Sequence, residues 1–170
     1  MSSSDYLFSE FEPKWRQFWE ESGAHEARDD DPRPKYYCLD MFPYPSGSGL
    51  HVGHWRGYVL SDSWSRYQVL RGYKVLHPMG WDAFGLPAEN DAIKKKTHPR
   101  LNTEKNIANI KRQLKEIGAI YDWSREVNTT DPEFYHWTQW IFIQFYKKGL
   151  AYQTDLPINW QAQLGSSGTN

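Results

Sequence analysis

The chain has 170 residues, with 20 basic and 21 acidic side chains and a formal net charge of -1 at pH 7. This length suits one domain with a sizeable core, and the balanced charge excludes the basic footprint that would by itself indicate a nucleic-acid partner. One cysteine, Cys38, excludes an intramolecular disulfide framework, and no apolar run reaches the ~20 residues that span a bilayer, so we expect a cytoplasmic protein without membrane contact.

The first half of the chain predicts a strand-helix-strand unit. A short amphipathic helix over 11–22 ends at Gly23, and a charged, proline-broken linker over 29–34 follows it. A core strand over 35–40, a long helix over 53–70 and a second, parallel strand over 73–78 come next. Cys38 falls in the first strand, where we interpret it as a buried residue and not as a nucleophile. This order predicts an α/β fold with a doubly wound parallel sheet and flanking helices.

The second half predicts three helices and an extended end. The first helix covers 87–96. The second covers 103–117, with an apolar face made by Ile107, Ile110, Leu114 and Ile117. The basic face of this helix is better interpreted as a solvated surface than as a nucleic-acid site. Asp131 and Pro132 start a strongly aromatic helix over 132–148, which we assign to the core together with Trp123. The stretch 151–160 predicts extended chain, and 161–170 predicts a flexible tail.

Residues 41–54 carry the strongest chemical signal. They follow the first strand and read Met-Phe-Pro-Tyr-Pro-Ser-Gly-Ser-Gly-Leu-His-Val-Gly-His. His51 and His54 are three apart at a predicted helix start, so they share one face beside the positive end of the helix dipole. Gly53 allows close approach of a nucleotide, and both histidines can donate hydrogen bonds to phosphate. The alternative is a pair of capping or surface histidines.

A second unusual run, Met-Gly-Trp-Asp-Ala-Phe-Gly-Leu-Pro-Ala-Glu-Asn, covers residues 79–90. Together the two runs resemble the N-terminal catalytic part of class I aminoacyl-tRNA synthetases, most closely leucyl-tRNA synthetase, with His51 to His54 in the place of the HIGH motif. The resemblance covers about residues 11–160. It implies an incomplete Rossmann-like (HUP-type) domain over 1–160 that activates leucine with ATP and Mg²⁺ for ligation to tRNA(Leu).

The resemblance also implies residue roles. His51, Gly53, His54 and Gly85 would bind ATP, and the two histidines would be catalytic. Met41, Phe42, Tyr44 and Asp82 would bind the amino acid, with Asp82 on its ammonium group. The alternatives are an Asx-turn for Asp82 and ordinary aromatic packing for Phe42 and Tyr44. Glu89 and Asn90 either touch ribose or open the next helix.

Several parts of the resembled family have no counterpart in these 170 residues. Asn159 and Trp160 are followed by Gln161 where relatives continue with a cysteine, and we find no KMSKS loop, editing domain or anticodon-binding domain. We expect no zinc site, and the resemblance implies tRNA(Leu) as a partner of the full-length family members more than of this chain alone. Two functional hypotheses stay open. The chain either activates leucine, weakly alone or fully with the missing parts, or it binds ATP and leucine without catalysis and needs a partner.

Overall fold

A computed structural model describes residues 7–158 and, as backbone only, residues 160–161 and 166–167. These residues divide into a unit that ends at Phe134 and a unit that begins at Tyr135. The helices are α1 (Phe8–Ser22), α2 (Val52–Leu70), α3 (Leu86–Lys95), α4 (Pro99–Glu116) and α5 (Pro132–Lys147). The strands are β1 (Lys35–Tyr37), β2 (Lys74–Leu76), β3 (Pro78–Trp81), β4 (Asp122–Asn128), β5 (Trp160–Gln161) and β6 (Ser166–Ser167).

The first unit is an α/β fold built from two parallel strand pairs. β1 pairs with β2 across the crossover helix α2, with Lys35 opposite Lys74. β3 pairs with β4 after α3 and α4, with Trp81 opposite Asn128. Only His77 separates β2 from β3, so the chain changes partner strands at that residue. The result is a partial Rossmann-like domain with short parallel sheets, as predicted, although the strands form two pairs and not one continuous sheet.

The core lies between α2, α4 and the β3–β4 pair. Its buried side chains include Met79, Trp81, Ile110 and Leu114. Burying such side chains removes apolar area from water and fixes α4 against the strands. Ile107 is half-buried against this cluster, whereas Ile117 is 38% exposed. The predicted apolar face of this helix is therefore confirmed at its centre only.

Several predicted boundaries were wrong for local reasons. The predicted second strand stops at Leu76 and a new one begins at Pro78. α4 starts at Pro99, four residues before the predicted start, because the His98 side chain caps it by accepting a hydrogen bond from the Arg100 N–H at 3.2 Å. Strand β4 was not predicted at all, since its sequence Asp-Trp-Ser-Arg-Glu-Val-Asn is mostly polar and lacks a clean alternation.

The assignment of the aromatic helix to the core was also wrong. α5 runs from Pro132 to Lys147 and has no buried side chain. Trp137 and Trp140 are 60% and 54% exposed. The stretch that follows it, up to Ile158, has no regular structure that could cover the helix. Trp123, by contrast, is half-buried against the core of the first unit.

The predicted tail over 161–170 lies largely outside the described residues. Within it the structure describes the backbone of Gln161, Ser166 and Ser167, where β5 and β6 pair antiparallel. No helix in the described part of the chain is long and apolar enough to cross a membrane. The assignment of 1–160 to one catalytic domain stays a proposal.

Candidate functional site

The two predicted histidines lie in contact at the start of α2. His51 is the N-cap residue in an extended conformation, with φ -113° and ψ 169°. Its Nδ1 atom accepts a hydrogen bond from the Gly53 N–H at 3.0 Å, and the His54 Nδ1 accepts one from the His51 N–H at 3.2 Å. The ring centroids are 3.8 Å apart. The prediction that both side chains share one face is confirmed, and the capping alternative turns out to hold at the same time.

These hydrogen bonds determine the chemistry that the rings can offer. Because each Nδ1 atom accepts a backbone hydrogen bond, each ring keeps only its Nε2 as a donor to a ligand. Burial, and then the charge of His51, lowers the pKa of His54 below its usual value. His51 is exposed and His54 is half-buried. Both Nε2–H groups are thus left as donors at a helix N-terminus, where the dipole favours an anion.

The ring of His51 occupies the space that a side chain at position 53 would need. A Cβ atom at position 53 would lie 2.8 Å from the His51 Cε1 and 2.9 Å from its Nδ1. The hydrogen bond from the Gly53 N–H to Nδ1 holds this ring against the helix start, so the ring could not move away without breaking it. A side chain at this position would therefore displace the histidine from the helix start.

The segment after β1 places its three predicted pocket residues differently. Met41 is 87% exposed, and its carbonyl accepts a hydrogen bond from the Tyr58 hydroxyl at 3.0 Å. Tyr44 is 56% exposed and free to line an open site. Phe42 is half-buried against the core cluster, close to the backbone of Gly80 and the side chain of Val127. The ordinary packing alternative thus accounts for a large part of Phe42.

Asp82 lies where the two predicted runs meet. Its N–H donates to the carbonyl of Pro43 at 3.1 Å. On either side, the Trp81 carbonyl accepts from the Thr129 N–H at 3.1 Å, and the Ala83 N–H donates to the Thr129 Oγ1 at 2.9 Å. Within the described residues its half-buried carboxylate makes no hydrogen bond or ion pair. The Asx-turn alternative has no support, and the carboxylate remains available to a cation.

Gly85 is explained by its backbone. It is the N-cap residue of α3 with φ +98°, a conformation that side chains rarely adopt. Glu89 lies in the first turn of this helix, where a carboxylate favours the dipole, and Asn90 lies one residue further along. The helix-opening alternative for Glu89 therefore has direct structural support.

Sequence reasoning missed a buried polar cluster under the site. The carboxylate of Asp40, whose side chain is 8% exposed, accepts hydrogen bonds from His77 at 2.9 Å, Ser61 at 2.8 Å and Tyr121 at 2.8 Å. Burial opposes its ionisation, but these hydrogen bonds outweigh that cost and hold the pKa of Asp40 below its usual value. Burial and the charge of Asp40 raise the pKa of Tyr58 to about 12. The cluster joins the carboxyl ends of β1 and β2 to the start of β4.

Three cavities in the described part of the chain contain none of the predicted site residues, although Trp81 of the second run lines one of them. One cavity of about 110 Å³ lies between α1 and the end of α4, lined among others by Trp19, His25 and Trp123. It contains none of the predicted site residues. The described residues also hold no group of three His, Cys, Asp or Glu side chains arranged as metal ligands. The candidate site therefore rests on the chemistry of the two histidines and Asp82 and not on a cavity.

Comparison with known proteins gives consistent results. Residues 14–170 match the model of the family described as tRNA synthetases class I (I, L, M and V). The chain is 60% identical over 159 residues to the leucine–tRNA ligase of Chloroherpeton thalassium, and 58% identical over the same length to that of Chlorobaculum parvum. Each alignment covers 94% of this chain and 20% of the relative. The chain thus spans about a fifth of the length of these curated relatives.

A solved structure is also similar. The chain superposes on LeuRS in the crystal structure of the ternary complex of Agrobacterium radiobacter K84 agnB2 LeuRS, tRNA and LeuAMS with a TM-score of 0.81. The two sequences are 43% identical, and the match covers 87% of this chain and 19% of the other. The residues that match the family model, 14–170, include both runs.

Proposed function

This chain belongs to the class I tRNA synthetases of the I, L, M and V group, and from that membership we propose that it binds leucine and ATP for the formation of leucyl-adenylate. The observation that carries the proposal is the hydrogen bond between Asp82 and Pro43, at 3.1 Å. It brings an unpaired carboxylate to the loop that leads directly into His51 and His54. A carboxylate that can pair with a cation thus lies at one end of this short segment, and two N–H groups that can donate to phosphate lie at the other.

The reaction needs little covalent chemistry from the protein. A carboxylate oxygen of leucine forms a bond to the α-phosphorus of ATP, and the bond from that phosphorus to the oxygen bridging to the β-phosphate breaks. Pyrophosphate leaves with the bonding electrons, and negative charge grows on the phosphate oxygens. Fixed Nε2–H donors on His51 and His54 would stabilise that charge without reorganising. Catalysis of this kind is positioning plus electrostatics.

The amino acid would be held at both ends. Asp82 would pair with the ammonium group, because its carboxylate lies partly out of water with no protein partner. Tyr44, and the exposed edge of Phe42, would form an apolar wall for a γ-branched side chain. Apolar pockets discriminate near-isosteres by only ~1–3 kcal/mol, so valine, isoleucine and methionine would compete at ~10–200-fold lower efficiency.

The family uses ATP, but the described residues offer no metal site of their own. We therefore assign no protein ligand to Mg²⁺, which would arrive bound to the phosphates of the nucleotide. A cytoplasmic location belongs to the same proposal. Contact with tRNA(Leu) is not part of it, because no described feature of this chain indicates such a surface.

Leucine-dependent exchange of labelled pyrophosphate into ATP tests the enzymatic hypothesis on the purified chain. Exchange that requires leucine, and that His54→Ala abolishes, would establish activation. Binding of leucine and ATP without exchange would support the second hypothesis, a binding part that needs a partner. Failure to bind either ligand would contradict the proposal as a whole.

A further inference from the structure

Helix α4 directs a row of side-chain amides at the loop between Tyr44 and His51. Asn106, Asn109 and Gln113 are spaced by three and four residues, so they lie on one face of the helix. We call these three residues the amide ladder. They lie 61 to 63 residues away in sequence from the backbone groups that they contact, and no motif in either run indicates them.

Each member of the ladder satisfies one backbone group of the loop. The Asn106 Nδ2 donates to the Pro45 carbonyl at 2.8 Å, and the Asn109 Nδ2 donates to the Ser48 carbonyl. The Gln113 Oε1 accepts from the Leu50 N–H at 2.8 Å. A loop without regular structure must find partners for its backbone groups outside itself, and here a single helix supplies them.

The helix that carries the amide ladder is held in place by the core. Ile110 and Leu114, on the adjoining face of α4, are 1% and 0% exposed in the core. Asn106 is itself only 4% exposed, so its amide cannot exchange its partner for water without cost. Gly49 leaves room for the ladder, because a Cβ there would lie 2.9 Å from the Gln113 Nε2. The core thus fixes the helix, and the helix fixes the loop.

We propose that Asn106 and Gln113 are positioning residues that set the two halves of the site separately, an inference that rests on the proposed function. Asn106 holds Pro45, the neighbour of Tyr44, and so acts on leucine. Gln113 holds Leu50, the neighbour of the N-cap residue His51, and so acts on ATP. The two effects are separable because the glycines at positions 47 and 49 lie between the two anchoring points.

The donor and acceptor roles give each position its own chemical signature. Gln113→Met keeps the length of the side chain and loses the acceptor, whereas Gln113→Glu keeps an acceptor oxygen for the Leu50 N–H. We expect Gln113→Met to weaken ATP binding ~3–10-fold, the usual effect of one lost hydrogen bond, and to change leucine binding less than ~2-fold. Gln113→Glu should restore the ATP affinity.

The opposite pattern is expected at the other end. Asn106→Leu should weaken leucine binding ~3–10-fold and should change ATP binding less than ~2-fold. The control is Lys105→Gln on the same helix, because Lys105 is exposed and makes no hydrogen bond or ion pair within the described residues. If Asn106→Leu does not fold, the Gln113 pair still decides whether the ladder acts on ATP binding separately from leucine binding.

Amide hydrogen exchange at Leu50 provides a readout that needs no ligand. Gln113→Met should accelerate it at least ~10-fold and Gln113→Glu should not, with thermal midpoints measured alongside. Unchanged exchange in Gln113→Met would overturn the proposal, as would equal losses of both ligands in every ladder variant. If the unchanged chain bound neither leucine nor ATP, the proposed function would fail, whereas Leu50 exchange would still decide whether the ladder holds the loop.

Discussion

The backbone N–H of His51 donates to the Nδ1 of His54 at 3.2 Å, so the second histidine of the motif caps the helix that the first one begins. The Nδ1 of His51 in turn accepts a hydrogen bond from the Gly53 N–H at 3.0 Å. One nitrogen of each ring is therefore structural, and the other is left for a ligand. This division separates stability from function within each side chain and makes the two testable by different substitutions.

Substitutions at His54 should separate the two nitrogens. Asn can place its Oδ1 near the position of Nδ1, so His54→Asn should keep the cap and lose the phosphate donor. We expect it to lower leucine-dependent pyrophosphate exchange ~10²–10³-fold, the usual effect of one charge-stabilising donor, with little loss of thermal stability. His54→Ala should lose both, with ~0.5–2 kcal/mol less stability. The contrary result would be exchange within a factor of two of the unchanged chain in His54→Asn.

The titration of His54 has a predicted direction. Burial, and then the charge of His51, lowers its pKa below the ordinary value of 6.5. As the pH falls below that value, the unfolded chain takes up a proton that the folded chain resists, so stability decreases on the acid side and is unaffected above it. His54→Asn should flatten this dependence. Burial also lowers the pKa of His25, so His25→Asn is the comparison variant.

Two-dimensional NMR of the imidazole rings measures this directly. We expect His54 to titrate below 6.5 and, when neutral, to show the proton on Nε2. A His54 signal that titrates above this value, or a proton on Nδ1, would contradict both the cap and the account of the donor groups.

Gly53→Ala and Gly57→Ala form a matched pair on one helix. A Cβ at position 53 would lie 2.8 Å from the His51 ring, whereas one at position 57 would meet no atom within 4 Å. Gly53→Ala should therefore displace His51 and weaken ATP binding, while Gly57→Ala should stabilise α2 by ~0.5–1 kcal/mol and leave binding unchanged. Calorimetric titration with ATP and thermal unfolding check both. Equal ATP affinity in the two variants would show that position 53 imposes no such constraint.

Phe42 and Asp82 should affect amino-acid binding in different ways. Asp82→Ala should weaken the binding of leucine, valine, isoleucine and methionine by similar factors, because all four carry the ammonium group. Phe42→Ala should narrow the preference for leucine and also lower stability, since the ring is half-buried beside Gly80. Competition binding across the four amino acids, with unfolding midpoints, distinguishes the two. A change in side-chain preference alone in Asp82→Ala would show that its assigned role is wrong.

The sequence predicted those parts of the fold and site whose signals are local. The helix start at His51 and the order of strand, helix and strand follow from spacing and turn residues within a few positions. Asp40, Thr129 and the ladder residue Gln113 gave no such signal, because they contact residues far away in the sequence. His77 and Tyr121 lie 37 and 81 residues from Asp40. The contacts of Thr129 with Ala83 and of Gln113 with Leu50 span 46 and 63 residues. Such contacts exist only once the strands have paired.

The error at α5 has a different origin. Seven aromatic side chains in one helix predict a wrapped core helix on composition, yet the structure leaves the helix without a buried residue. Composition states how much apolar surface a helix carries and not which element covers it. The polar strand β4 shows the reverse case, since its pairing with β3 and not its own pattern makes it a strand.

The most direct test of the account is an NMR titration of the isotope-labelled chain with leucine, repeated with Asp82→Asn. Leucine should shift the backbone signals of Asp82 and Tyr44 in the unchanged chain, and Asp82→Asn should weaken that binding at least ~10-fold without changing the binding of ATP, whose shifts should centre on Gly53 and His54. Equal leucine affinity in the two proteins, or leucine-induced shifts confined to residues outside both runs, would contradict the assignment of this site.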